Sequence, residues 1–307
     1  MSKVSFIGAG FVGSTAAQYL ALKNICDEIV LIDLNEGPTK GKALDLNQAG
    51  ATLGYDTQIK GSSDFEDLKD SQIVVISAGK PRDPGMDRMD LIRINREIVT
   101  SCIKQVRKFC LDAIVILVTN PLDVMCYVAY QEAGMPREKI FGMAGVLDTS
   151  RFRTFLAWET GVSKGKIEAW VLGGHGNQMV PVLEHTKIDG KPVGELVEKD
   201  KLQEIVERTR NGGGEIVELL GKGSAYYAPG ASIVEMVEAI LTDSKKTLPV
   251  SVYLQGEYGY SDLFLGVPAK LGKHGIEEIV ELELAADTKK LLDDSVEEVK
   301  KGIESLD

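Results

Sequence analysis

One of the three histidines stands where a ligand can approach closely. His175 lies in Gly173-Gly174-His175-Gly176-Asn177, directly after the apolar run 169–172, and its flanking glycines admit a ligand or another backbone. An imidazole titrates near neutral pH, so it suits the exchange of a single proton. A lone histidine is more often structural, and its company gives this one weight. Asp148 and Arg151 sit three residues apart at the start of a predicted helix, offering a carboxylate to orient an imidazole and a guanidinium to hold an anion. Unaided, the same pair also fits a helix N-cap and a surface charge.

A second group of residues points to a dinucleotide. Gly8-Ala9-Gly10-Phe11-Val12-Gly13 fits G-x-G-x-x-G, follows a predicted strand and opens a predicted helix, the context this motif requires. Its glycines allow a tight turn, close approach to a pyrophosphate, and helix-on-strand packing. Asp33, at the end of the next strand, stands at the interval expected of a carboxylate that accepts from the adenosine ribose. That charge repels a 2′-phosphate, so NAD is expected over NADP.

Two further stretches fall at the same edge. Lys80-Pro81-Arg82-Asp83-Pro84-Gly85-Met86-Asp87-Arg88 reads as a long exposed loop, and Arg82 and Arg88 can swing over a bound anion. Residues 80–108 hold eight bases against four acids, although a solvated helix face would give the same count. Thr119-Asn120-Pro121 closes a predicted strand and offers an uncharged donor and acceptor, or simply a turn or helix cap.

These residues need a parallel sheet to bring them together. Short apolar runs at 4–7, 28–32, 73–76 and 113–118 read as strands covered on both faces. Helix-like stretches at 12–23, 39–53 and 89–109 alternate with them, the pattern of βαβ units, and ligands bind such sheets at the carboxyl ends of the strands. The expected fold is therefore α/β, a Rossmann-type doubly wound parallel sheet over residues 1–143. A second α+β substrate domain follows over residues 144–307. There Asp189-Gly190 marks a tight turn, and Leu284, Thr288, Leu291, Leu292, Val296, Val299 and Ile303 recur as in a closing amphipathic helix. The stretches 39–53 and 205–220 are candidate subunit-interface helices, though core packing explains their apolar faces equally well.

Composition narrows the classes. The chain has 307 residues, 44% hydrophobic and 26% charged, ample for a buried core. Its 35 basic and 46 acidic side chains leave a formal charge of −11, which disfavours a nucleic-acid or anionic-membrane surface. No apolar run is long enough to span a membrane. Four cysteines without C-x-x-C spacing fit free thiols in a reducing cytoplasm. No histidine has the spacing of a zinc ligand, so no metal is expected.

Together, Gly-Ala-Gly-Phe-Val-Gly, Pro-Arg-x-Pro-Gly-Met-x-Arg-x-Asp-Leu, Thr-Asn-Pro, Leu-Asp-x-x-Arg and Gly-Gly-His-Gly resemble the lactate/malate dehydrogenase family, in family order and at family spacing. The resemblance covers essentially the whole chain and is closest to the lactate-dehydrogenase-like malate dehydrogenases. It implies reversible hydride transfer between malate and NAD, an activity of the tricarboxylic acid cycle, in a cytoplasmic homodimer or homotetramer. The alternative is a lactate or other 2-hydroxy-acid dehydrogenase. By resemblance, His175 is the general acid/base and Asp148 its partner, while Arg82, Arg88, Asn120 and Arg151 bind the substrate. Gly8, Gly10, Phe11, Val12, Gly13, Asp33, Asn95, Val118 and Asn120 would contact NAD. Family members acting on malate carry an arginine at the place of Arg82, where typical lactate enzymes carry glutamine. Gly174 fits the same choice, since lactate enzymes usually show glutamate before the histidine. Asn177 departs from the aspartate common among relatives.

Overall fold

A computed structural model describes residues 2–81 and 88–306, with Arg88 described by its backbone. The expected contacts of Arg82 and of the Arg88 side chain lie outside the described residues. In chain order the first half runs β1 (Lys3–Ile7), α1 (Phe11–Lys23), β2 (Glu28–Ile32), α2 (Glu36–Leu53), β3 (Gln58–Ser62), β4 (Ile73–Ile76), α3 (Arg88–Phe109), β5 (Ile114–Leu117), α4 (Leu122–Ala133) and β6 (Ile140–Gly142). The second half continues with α5 (Gly145–Thr160) and four pieces of small sheet, β7 (Ile167–Glu168), β8 (Val171–Leu172), β9 (Val180–Pro181) and β10 (Lys187–Ile188). Then follow β11 (Lys191–Pro192), α6 (Lys199–Leu220), α7 (Tyr227–Leu241), β12 (Lys246–Gln255), β13 (Ser261–Gly272), β14 (Gly275–Ile279) and α8 (Ala286–Glu304).

The strands β3-β2-β1-β4-β5-β6 lie side by side, all parallel. Their runs, such as Ile-Val-Val-Ile in β4 and Ile-Val-Ile-Leu in β5, are buried throughout because helices cover both faces. Alternate residues feed two cores: Val4, Phe6, Ile29 and Leu31 pack on one face, and Ile7, Val30, Ile32 and Val74 on the other. After β1 the chain crosses to β2 and β3 on one side, and later to β4 on the other. The carboxyl ends of β1 and β4, paired at Ile7 and Ile76, therefore flank the point where strand order reverses, a place for ligands.

The second half is less separate than its α+β texture suggests. Ser251 of β12 pairs antiparallel with Gly142 of β6, and β13 and β14 extend the sheet to nine strands. Gly230 of α7 seats closely on α1, where an added Cβ would lie 3.0 Å from Thr15. The tight turn appears as expected, with Asp189 at φ 50° and Gly190 at φ 79° joining β10 to β11. The helices differ in detail from the sequence reading. Helix α2 begins at Glu36, before Pro38, because a first-turn proline surrenders no intrahelical hydrogen bond. In α8 the buried face runs through Thr288, Leu292, Ser295, Val296 and Val299, whereas Leu291 points outward at 44% exposure.

Candidate active site

The glycine loop joins β1 to α1. Gly8 has φ +106°, and a Cβ there would meet the Ala78 backbone at 2.6 Å. A Cβ on Gly13 would lie 2.0 Å from the Gly8 carbonyl oxygen, so this glycine sets the contact between helix and loop. Gly10 differs: nothing lies within 4 Å of its absent Cβ, and the space is open to a ligand. Gly10 also caps α1 without a side-chain hydrogen bond, and no acid stands in the first turn. A glycine-capped, acid-free helix start leaves N–H groups and the positive end of the helix dipole for a pyrophosphate.

Asp33 follows β2, and its Oδ2 accepts from the Ala9 N–H at 2.9 Å. The loop is thereby tied to the carboxylate that reads the ribose in folds of this kind. Lys42 of α2 donates to the Ala9 carbonyl from the other side. Val12 packs against the core, while Phe11 is 74% exposed and stacks on Tyr226 with ring centroids 5.2 Å apart. The loop, Asp33 and the open face of Gly10 fit a dinucleotide.

Separate hydrogen bonds tie together the segments at this sheet edge. Ser77, after β4, donates to the Gly8 carbonyl at 3.0 Å. Asn95 of α3 accepts from Lys80 N–H at 2.7 Å and donates to the Lys80 and Asn120 carbonyls at 3.1 and 2.7 Å. Asn95 is buried, and these polar groups are spent on backbone; the residue braces Lys80 against Asn120. Asn120 is itself exposed at that corner, and Val118 donates its N–H to Ile76 at 2.9 Å.

Three residues beyond Asn120, Asp123 sits in the first turn of α4 and takes the His175 N–H on Oδ2 at 2.7 Å. The His175 ring turns to α5, where its Nδ1 lies 2.8 Å from Asp148 Oδ2. Asp148 is buried, and its other oxygen accepts from Arg151 Nη1 at 3.2 Å. Among the described residues, Arg151 Nε is buried without a partner, a donor atom suited to an anion. Gly212 and Gly213 of α6 make room for it, since added Cβ atoms would lie 3.2 and 3.4 Å from its side chain. Burial works against a charged His175, but Asp148 and, further off, Asp123 outweigh it and hold the imidazole pKa above the ordinary value of 6.5.

The structure thus brings His175, Asp148 and Arg151 into one cluster, held through Asp123 to the helix that follows Asn120, while Asn95 ties Asn120 to Lys80. Sequence reasoning missed Asp123 and its partner Ser251, and also Ser295, Gly212 and Gly213. The available signal was an acid between Leu122 and Val124 in an otherwise apolar helix start.

Residues 2–142 match the family model for the lactate/malate dehydrogenase NAD binding domain, and residues 145–306 that for the lactate/malate dehydrogenase alpha/beta C-terminal domain. The chain belongs to the lactate/malate dehydrogenase family. Members of this family are oxidoreductases, and the chain carries its NAD-binding half. It is 53% identical over 306 residues to a malate dehydrogenase of Bacillus thuringiensis, covering 99% of this chain and 98% of that protein. The malate dehydrogenase of Cryptosporidium parvum superposes with a TM-score of 0.96 at 44% identity, covering 99% and 98% of the two chains. A lactate dehydrogenase of the same organism, solved with lactic acid and nicotinamide adenine dinucleotide, gives 0.96 at 39% identity over 99% and 98%.

Proposed function

We propose that the chain interconverts malate and oxaloacetate with NAD, exchanging the substrate proton at His175. The observation that supports this most is the division of one buried carboxylate, Asp148, between His175 Nδ1 and Arg151 Nη1. Nδ1–H donates to Asp148, which leaves Nε2 of the neutral ring as the acceptor for a hydroxyl proton. Asp148 also stabilises the imidazolium that results. When bound, the dinucleotide supplies the hydride acceptor.

The remaining roles follow from the family resemblance and from the chemistry of the side chains. Arg151 grips the C1 carboxylate through its planar fork. Arg88 polarises the C2 oxygen, Asn120 hydrogen-bonds beside the reacting carbonyl, and Arg82 pairs with the second carboxylate. Pyruvate would leave Arg82 facing a methyl group, and an unpaired guanidinium away from water costs several kcal/mol. Dicarboxylates are preferred over lactate and pyruvate on that ground. Gly8, Gly10, Phe11, Val12, Gly13, Asp33, Asn95, Val118 and Asn120 would hold the dinucleotide, with Asn95 also bracing the Lys80 and Asn120 backbone.

Residues 1–143 are taken as the dinucleotide-binding domain and 144–307 as the substrate domain. A homodimer or homotetramer is supported by large apolar side chains exposed on α2 and at the end of α6, among them Leu44, Leu53 and Leu219. Four buried free cysteines support a reducing, cytoplasmic setting. Among the described residues no helix is long and apolar enough to cross a membrane.

Steady-state NADH oxidation with oxaloacetate and pyruvate side by side tests the reading. The expected result is a kcat/KM preference for oxaloacetate of at least about a thousandfold. A preference for pyruvate would replace malate by lactate as the substrate.

A further inference from the structure

A second buried carboxylate holds the His175 backbone, and we propose that Asp123 is a positioning residue for the proton exchange: it fixes the His175 backbone and places a second negative charge beside that of Asp148. The inference rests on the reading of His175 as the proton-exchanging group.

Three successive residues of the His175 loop are each anchored to a different element. Gly173 exchanges backbone hydrogen bonds with Gly266 of β13, at 2.9 and 3.1 Å. Gly174 N–H donates to Ser295 Oγ of α8 at 2.8 Å, and His175 N–H donates to Asp123 Oδ2 of α4 at 2.7 Å. The loop cannot accommodate side chains at its first two positions, where added Cβ atoms would lie 2.7 Å from Ser295 Oγ and 2.9 Å from Val299. Of these anchors, the one on His175 itself is the only carboxylate. Asp123 is 5% exposed, and its Oδ1 accepts from Ser251 Oγ of β12 at 2.7 Å. An uncharged acceptor would serve to hold a backbone N–H, and burying a carboxylate for that purpose is costly. Its negative charge has a use one residue away, where an imidazole must gain and release a proton.

Among the described residues, the charged groups that act on His175 are Asp148 and Arg151 from α5 and Asp123 from α4. His175 acts on Asp123, and Asp123 together with burial pushes the neighbouring Cys126 thiol well above its ordinary value. Burial raises the pKa of Asp123, opposed by the hydrogen bonds from Ser251 and the His175 backbone. The two aspartates therefore divide the work on one histidine. Asp148 holds the ring nitrogen, and Asp123 holds the chain that carries the ring. Because Asp123 follows Asn120 by three residues, the same corner that presents Asn120 to the substrate also sets the register of His175.

The test is the pH profile of kcat/KM for malate oxidation in the wild-type chain and in Asp123→Asn, which keeps the shape and an acceptor for the His175 N–H. The variant's rising limb is expected at lower pH, with KM for NAD unchanged and the alkaline plateau lowered by no more than about tenfold. A limb left at the wild-type position, whatever the loss of thermal stability, would overturn the proposal. If the variant does not fold, carboxyl-carbon NMR of Asp123 in the wild-type chain decides. A resonance that moves through the His175 titration supports the coupling, and one that ignores it refutes it. A wild-type profile without any limb in the histidine range would remove the reading of His175 itself, an outcome distinct from failure of Asp123 alone.

Discussion

Asp148 Oδ2 lies 2.8 Å from His175 Nδ1 across 27 residues of sequence, in a pocket where the carboxylate is 1% exposed. This contact determines which ring nitrogen is available for chemistry. It also favours the protonated ring over the effect of burial, so His175 titrates above the ordinary histidine value. Malate oxidation needs the neutral imidazole, and oxaloacetate reduction needs the imidazolium. Oxidation should therefore rise with pH through the raised pKa, and reduction should fall through the same pKa, as measured by kcat/KM in the two directions.

Replacing Asp148 by asparagine removes the charge and permits the wrong ring tautomer. We expect kcat to fall by about a thousandfold, with the oxidation limb moving to lower pH. A loss confined to KM would contradict the assignment of Asp148 to the histidine.

Gly10 and Gly13 separate binding from folding. Gly13→Ala drives a Cβ toward the Gly8 carbonyl and should destabilise the chain by about 1–3 kcal/mol in thermal or denaturant unfolding. Gly10→Ala meets open space and should leave stability within about 0.5 kcal/mol. The methyl group would nevertheless stand where a pyrophosphate must approach, so NADH titration should show weaker binding. Unchanged binding in Gly10→Ala would place the cofactor elsewhere.

Asp33 should govern the choice between the two nicotinamide dinucleotides. With Asp33→Ser, kcat/KM for NADH is expected to fall about tenfold to a hundredfold, the scale of a lost charge-assisted hydrogen bond. NADPH should lose nothing or gain, since the repulsive charge is gone.

Arg82 should govern the substrate. In Arg82→Gln the preference for oxaloacetate over pyruvate should collapse by about a hundredfold or more, because the second carboxylate loses its partner while the methyl group no longer strands a charge. Side-by-side kcat/KM values for wild type and variant measure this directly.

The parts of this molecule legible in the sequence are those written in contiguous residues. The glycine loop, the strands around it and Asp33 follow from motif, apolar runs and a fixed interval. His175 was visible from its flanking glycines, and Asp148 with Arg151 from their spacing, although residues alone left the histidine and the pair open to structural readings. Contacts built across the chain were not legible. Asp123 meets His175 from 52 residues away and Ser251 from 128, and Ser295 meets Gly174 from 121. No local pattern encodes such meetings. The same holds for the sheet: residues 246–255 fall within the expected second domain, and the pairing of β12 with β6 through Ser251 and Gly142 has no local pattern. Asn95 enters as a dinucleotide contact only by family resemblance, and its hydrogen bonds to the Lys80 and Asn120 backbone have no local signal.

The most direct test of the account is turnover in His175→Gln alongside the dissociation constant for NADH. The account predicts that kcat with oxaloacetate falls by about a thousandfold or more, while NADH binding stays within about threefold, because His175 exchanges the proton and does not hold the dinucleotide. Turnover retained within about tenfold of wild type would contradict it, since general acid/base chemistry at this residue would then be dispensable.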